Sequence, residues 1–258
     1  MKSYFEEQSS HYHVFRPDYP TELYTEIYSH VSAFELGVDV ACGSGQATRS
    51  LAQKFAKIIA IDNSKNQLEQ MAALSNVQKL HLQAEEISQQ IEPDSVDLLV
   101  VAQAFHWFRH IDFFKALLTV LKKNSTFAVW GYNKNSILFT DEKPDSQSQA
   151  VFEDFYSNIV GSYWPPERVH IESQYKNIVF PNFLTEIPVQ KKFQIERRMS
   201  RADFLGYLSS WSATTLYTKD RGVSPIESCN KTLSQYWPDN EARMIVWPIF
   251  IRTFKNSG

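Results

Sequence analysis

Glycine is scarce in this chain, 8 residues in 258, yet Gly43 and Gly45 stand only one residue apart. Cysteine is scarcer: Cys42 and Cys229 are the only two, too few for a disulfide framework. No apolar run approaches the ~20 residues a membrane span needs. The first ten residues, Met1–Ser10, are polar and carry no signal-peptide core. Charge is nearly balanced, with 26 basic and 29 acidic residues and a net charge of −3, which excludes an electrostatic nucleic-acid surface. The 7 histidines show no ligand spacing; His11 and His13 flank Tyr12 without a Cys or Glu companion, so no metal site is expected. These absences leave a cytoplasmic protein with no membrane, nucleic-acid or metal partner, and they say nothing about its oligomeric state. What is abundant is apolar: 43% of residues are hydrophobic and 14% aromatic, enough for one large α/β domain with a sizeable core.

The two close glycines sit in Leu36-Gly-Val-Asp-Val-Ala-Cys-Gly-Ser-Gly-Gln46, a buried strand running into a turn and then a helix. Glycine permits the sharp turn and lets a ligand approach bare backbone, while the helix start presents amide N–H groups. Asp39 lies near the end of this strand, and Asp62 ends the next one, Lys57–Ile61. A carboxylate there suits a ribose, because it can accept from both hydroxyls. A phosphate-binding P-loop would require Lys-Ser or Lys-Thr after the second glycine, and Gln46-Ala47 stands there. A dinucleotide turn of the G-x-G-x-x-G form puts its third glycine at position 48, which is Thr48, although Asp62 follows Gly43 by 19 residues, close to that motif's acid spacing. An S-adenosylmethionine turn needs an acid at the strand end and glycines two apart. From the residues alone, this last reading, a nicotinamide oxidoreductase and a glycine turn without a ligand stay open.

Periodicity sets the architecture. Pro20–Val31 reads as a helix, followed by strand 36–41, helix 46–55, strand 57–62 and helix 64–74 with Ser64 or Asn63 as cap. Val77–Leu82 is a third strand, and Val96–Ala102 is apolar almost throughout, as a strand covered on both faces should be. Helix Asp112–Leu121 and strand Ser125–Trp130 follow. Such alternation predicts a doubly wound, mostly parallel sheet. Beyond Gly131 the pattern changes. Asn133–Gln149 reads as loop, Val151–Tyr163, Ser200–Ser210 and Pro225–Tyr236 as helices, and Lys191–Arg197 and Met244–Arg252 as strands. An antiparallel C-terminal pair and a helical lobe over the carboxyl edge are expected.

The motifs together resemble class I S-adenosylmethionine-dependent methyltransferases, more narrowly the methyltransferase type 11 group similar to trans-aconitate methyltransferase-like proteins. They are Tyr12-x-x-x-Arg16-Pro-Asp-Tyr-Pro20, Asp39-Val-Ala-Cys-Gly-Ser-Gly-Gln46, Val101-Ala-Gln-Ala-Phe-His-Trp-Phe108, Trp164-Pro-Pro-Glu-Arg168, Tyr207-Leu-Ser-Ser-Trp-Ser-Ala213 and Trp247-Pro248. The resemblance implies a Rossmann-like seven-stranded sheet and a single domain over 1–258. Within it, 1–35 forms a lid and helix, 36–132 the cofactor core, and 133–258 the substrate lobe and last two strands. It implies that Asp39, Ala41, Gly43, Gly45 and Gln46 face the methionine and ribose, that Asp62 binds the ribose hydroxyls, that Gln83, Ala84 and Glu85 flank the adenine, and that Gln103 sits beside the sulfonium. Two departures stand out. Ala41 replaces the usual glycine, which is tolerable if its φ stays negative. Gln83 replaces a frequent aspartate, and its amide is left to accept from the adenine amino group.

The chemistry so implied is methyl transfer to a small molecule, on oxygen such as a carboxylate; a binding module without catalysis is the rival from another class. A carboxylate acceptor is ionised at pH 7 and needs no base, whereas a hydroxyl does. His106, after the fourth strand, is the candidate base or substrate donor, with packing under the lid as the alternative. Arg16 is a candidate partner of the methionine carboxylate, or else a surface residue held by Asp18. Arg168 is a candidate for a substrate acid group or a partner for Glu172 four residues on. Tyr12, Trp164 and Trp211 are candidate pocket walls or core, and Trp107 reads as core.

Overall fold

A computed structural model describes residues 18–258. Helix α1 (Thr21–Ser29) precedes β1 (Leu36–Val40), α2 (Gln46–Ala52), β2 (Lys57–Asp62), α3 (Lys65–Gln70), β3 (Val77–His81), β4 (Val96–Ala102), α4 (His110–Val120) and β5 (Leu121–Tyr132). Strands β1, β2, β3, β4 and β5 pair in parallel in the order β3-β2-β1-β4-β5. The order reverses at β1, which places β2 and β4 on either side of it and opens a crevice at the carboxyl ends, where open α/β sheets bind ligands.

The strands read as continuous apolar runs because both faces are covered. Val38, Val40, Leu99, Val101, Phe127 and Val129 pack with Phe113 and Leu117 of α4 on one face. Leu98, Val100 and Ala128 pack with Leu23 and Ile27 of α1 and Leu51 of α2 on the other. Each fully buried aliphatic side chain contributes roughly 1.5–3 kcal/mol. Asp97 ties the amino end of the sheet: it accepts from the Glu35 and Leu36 amides, both at 2.9 Å, and pairs with Lys122 Nζ at 2.6 Å.

The C-terminal half adds β6 (Ser136–Leu138), α5 (Ser146–Asp154), α6 (Arg168–Glu172), β7 (Leu184–Ile187), β8 (Phe193–Ser200), α7 (Arg201–Ser209), α8 (Ser212–Arg221), α9 (Ile226–Leu233) and β9 (Ala242–Asn256). Strand β9 runs antiparallel to β5, β6, β7 and β8, so the expected C-terminal pair is present within a nine-stranded sheet. The segment read as loop contains β6 and the start of α5. Helix α7 starts where its sequence signal placed it, with Ser200 and Asp203 forming a capping box. The lobe has its own aromatic core, in which Trp211, Trp237 and Trp247 pack with Phe152, Phe155, Phe204 and Tyr207. No described helix is long and apolar enough to cross a membrane.

Candidate functional site

The crevice holds a cavity lined by the β1 turn (Ala41, Cys42, Gly43, Gln46, Ala47), the β2 end (Asp62, Asn63, Gln67), the segment after β3 (Leu82, Ala84), the β4 end (Ala102, Gln103, Ala104, Trp107, Phe108), and Tyr19 and Tyr132. Apart from Tyr19, which precedes α1, each group arrives at the carboxyl end of a parallel strand.

The turn is shaped by left-handed backbone. Gly43 has φ +55° and Gly45 φ +89°. Ala41 also has φ 56°, so the expectation of a negative φ is overturned. The Cys42 amide is bonded to Ile61 O at 2.9 Å and Gly45 N to Cys42 O at 3.0 Å, and this framework over-determines the strained residue. The two glycines serve different neighbours. A Cβ on Gly43 would meet nothing closer than 3.8 Å, so its face is bare toward the cavity, whereas a Cβ on Gly45 would lie 2.9 Å from Met71 Cγ. Gly45 therefore allows α2 to pack on Met71, and it is not among the lining residues. Burial pushes the Cys42 thiol up, which suits packing rather than nucleophilic attack.

Asp62 is held as a fixed acceptor. Its Oδ2 accepts from Gly43 N and its Oδ1 from Ser64 N, both at 2.8 Å. Burial raises its pKa, and these two amides oppose the rise. Each oxygen keeps a lone pair for a ligand hydroxyl. Asp39 lies behind the turn, fully buried. Its Oδ2 accepts from Thr48 Oγ1 at 2.6 Å, while its Oδ1 has no hydrogen-bond partner among the described residues. Burial lifts its pKa to about 7.

Gln103 has φ 55° and lines the opposite side of the cavity. Its side chain is spent on Tyr132, accepting from the Tyr132 amide at 2.7 Å and donating to the Tyr132 carbonyl at 3.3 Å. Of the residues expected beside an adenine, Ala84 lines the cavity. Gln83 instead is the exposed N-cap of the short 84–89 helical turn, engaged with Glu86. Glu85 accepts from Arg109 N at 2.7 Å. Arg16 and Tyr12 lie outside the described residues. Asp18, the alternative partner for Arg16, pairs with Arg49 at 2.6 Å.

Sequence reasoning missed Asn63, Gln67, Leu82 and Tyr132 and read Trp107 as core. The signal available was position: all follow a strand's carboxyl end. The cavity fits a nucleoside with a polar tail, since acceptors gather around Gly43 and apolar Leu82, Ala84, Trp107 and Phe108 offer a surface for a base.

His106 is not among the lining residues. Its Nδ1 faces Tyr175 Oη at 3.4 Å and its ring lies 4.9 Å from that of Trp107. Burial, with Arg168, His170 and His110 nearby, lowers its pKa to about 3. Trp164, Arg168 and Trp211 meet around Tyr156 in the lobe. The Trp164 and Trp211 rings are 5.1 Å apart, and the Arg168 guanidinium lies 4.5 Å from the Trp164 ring. Arg168 Nε donates to Tyr156 Oη at 3.0 Å, and Tyr156 donates to Glu172 at 2.7 Å; the direct Arg168–Glu172 approach is 4.0 Å. Trp211 is buried among Phe152, Tyr156 and Tyr207, as core. Among the described residues, no group of three or more His, Cys, Asp or Glu is gathered for a metal.

Comparison with known proteins agrees with this geometry. The family model described as a methyltransferase domain matches residues 38–129, from β1 through β5. A Dictyostelium discoideum protein assigned to the methyltransferases is 34% identical over 241 residues, covering 92% of this chain and 88% of that protein. A Saccharomyces cerevisiae protein assigned as S-adenosylmethionine-dependent is 33% identical over 133 residues, covering 48% of this chain and 45% of its own. The solved structure of a type II methyltransferase assigned in Anaeromyxobacter dehalogenans superposes with a TM-score of 0.82 at 32% identity, over 93% of this chain and 98% of that one.

Proposed function

We propose a methyl acceptor for a chain that belongs to the class I S-adenosylmethionine-dependent methyltransferases: a small molecule carrying a carboxylate, methylated on oxygen. The chain is a methyltransferase and its cofactor is S-adenosylmethionine, so the nicotinamide alternative and the binding module without catalysis fall away. When bound, the cofactor supplies an electrophilic methyl group on a sulfonium. The protein's part is to hold the partners in line and exclude water.

In this reading residues 1–258 form one domain, with 36–132 as the cofactor core and 133–258 as the substrate lobe. Asp62 accepts from the ribose hydroxyls, the bare face of Gly43 admits the sugar, Leu82, Ala84 and Phe108 flank the base, and Gln103 and Tyr132 border the reacting end. Asp39 acts from behind the turn by its charge.

The observation that carries the acceptor class is Arg168. Its Nε is engaged by Tyr156 and its plane is covered by Trp164, while neither terminal nitrogen hydrogen-bonds to a described residue. A guanidinium held in this way presents its remaining N–H groups as a preset fork for a carboxylate. It lies near His106, which adjoins Trp107 on the cavity wall. With a pKa of about 3, His106 is neutral at working pH, which suits an acceptor that needs no base.

The test is a panel of small carboxylic acids and phenols with methyl-labelled cofactor, read by mass. Methyl esters should form. With the best acid, Arg168→Met should cut kcat/KM by ~10- to 100-fold, the loss of a charge-assisted pair, and leave cofactor affinity unchanged. Labelled aryl ethers without esters would overturn the reading.

A further inference from the structure

We propose that Gln67 is a second ribose ligand, so that the cofactor's two ribose hydroxyls are shared between Asp62 and the carboxamide oxygen of Gln67. This rests on the ribose reading of Asp62. Gln67 stands in the first turn of α3, its backbone amide capped by Ser64 at 3.4 Å, and it is 4% exposed on the cavity wall. Its Oε1 has no hydrogen-bond partner among the described residues.

That oxygen is aimed at the bare face of Gly43. A Cβ built on Gly43 would lie 3.8 Å from Gln67 Oε1 and 3.8 Å from Gln46 Oε1, so two carboxamide oxygens bracket one spot. The Gln46 oxygen is occupied, accepting from Ser44 Oγ at 3.2 Å. The Gln67 oxygen accepts from none of the described residues. A buried carbonyl without a donor is costly, and the cost is removed when a donor arrives.

Topology says which donor. β2 and β4 flank β1 on opposite sides. Asp62 and Gln67 belong to the β2 side, and Gln103 and Tyr132 to the β4 and β5 side. The sugar and the reacting end are thereby separated across the crevice. Asp62 already accepts two backbone amides. One lone pair remains on each Asp62 oxygen, and Gln67 Oε1, across Gly43, adds a further acceptor that takes one of the two hydroxyls.

The experiment is calorimetry with S-adenosylhomocysteine and its 2′-deoxy and 3′-deoxy analogues. The proteins are the wild type, Gln67→Met, Gln67→Glu and Asp62→Ala. Gln67→Met should bind S-adenosylhomocysteine ~3- to 10-fold more weakly, with its ligand-free melting temperature unchanged or raised, since an unpaired buried oxygen is removed. One of the two deoxy analogues, lacking the hydroxyl that Gln67 reads, should bind Gln67→Met and wild type equally. Gln67→Glu keeps an acceptor oxygen and should still distinguish that analogue from the parent. Equal weakening of all three ligands by Gln67→Met, or no weakening, would overturn the inference. If Asp62→Ala also leaves binding unchanged, the ribose reading itself fails; if only Asp62→Ala weakens binding, Gln67 alone is misassigned.

Discussion

Gln103 grips Tyr132 by both ends of the residue, through its side-chain oxygen to the Tyr132 amide at 2.7 Å and its side-chain nitrogen to the Tyr132 carbonyl at 3.3 Å. The backbone joins in, with Gln103 N bonded to Trp130 O at 2.8 Å. The carboxyl ends of β4 and β5 are thus one unit, although the parallel ladder ends at Ala102 and Trp130. Gln103 is a positioning residue, because its polar atoms are already engaged. Replacing it with Ala removes two part-buried bonds, at about 1–3 kcal/mol. For a chain of this size the melting temperature should fall by about 3–10 °C. KM for the acceptor should rise more than the dissociation constant for cofactor, because the β5 end faces the lobe. A fall in cofactor affinity alone would refute this role.

Ala41 carries strain that glycine would not. Its φ of 56° costs a non-glycine residue roughly 1–2 kcal/mol. Glycine gives back ~0.4–1 kcal/mol through the unfolded chain. Ala41→Gly should therefore raise the ligand-free melting temperature by about 1–3 °C, whereas Ala41→Val, branched at Cβ, should lower it. Thermal unfolding of both variants checks the pair, and a lower value for Ala41→Gly would show that the strain is absent.

The central strands were legible in the sequence because they are covered on both faces, which makes a run such as Val96–Ala102 apolar almost throughout. The helix read over Ser200–Ser210 was legible down to its start, where Ser200 and Asp203 satisfy each other locally. The direction of turn residues was not. The spacing of Gly43 and Gly45 is the same whether a glycine faces a ligand or Met71, and only packing decides. Gln83 stood at a plausible distance for an adenine, but a polar side chain before Ala84 serves equally to cap the helical turn, and in this structure it does so with Glu86. The lobe's aromatic contacts join residues far apart in the chain, so Trp211 gave no local sign of being core.

If the buried Asp39 serves the cofactor by its charge, cofactor binding should depend on pH. Burial raises its pKa to about 7, so the folded state favours the neutral carboxyl. The sign follows. Its contribution to stability is fully present below the unfolded value of ~3.9 and is lost as pH rises through about 7. The bound cation reverses the preference by stabilising the carboxylate. Affinity for S-adenosylmethionine should rise as pH passes from 6 to 8, and Asp39→Asn should flatten that rise. Ligand-free Asp39→Asn should also gain stability relative to wild type as pH rises over the same interval. Calorimetry and thermal unfolding at several pH values read both effects, and parallel curves for the two proteins would sink the assignment.

His106 tests whether the reaction uses a base. Burial, with Arg168, His170 and His110 nearby, lowers its pKa to about 3, far below the ordinary ~6.5 of a histidine. The ring is therefore neutral throughout the range in which the enzyme is assayed. With a carboxylate acceptor, kcat should show no inflection near pH 6.5, and His106→Gln, which keeps a hydrogen-bonding group beside Tyr175, should lower turnover by no more than ~10-fold. A general base would cost ~100-fold or more. Stability gives the independent reading. A histidine whose folded pKa is depressed leaves the folded state unable to take up the proton that the unfolded chain binds, so wild-type stability falls as pH drops from ~6.5 toward 3. His106→Gln has no proton to take up there and should lose less stability over that interval. A histidine-like drop in wild-type kcat at pH 6.5, abolished by the substitution, would instead place a working base at this position and move the acceptor from a carboxylate to a hydroxyl.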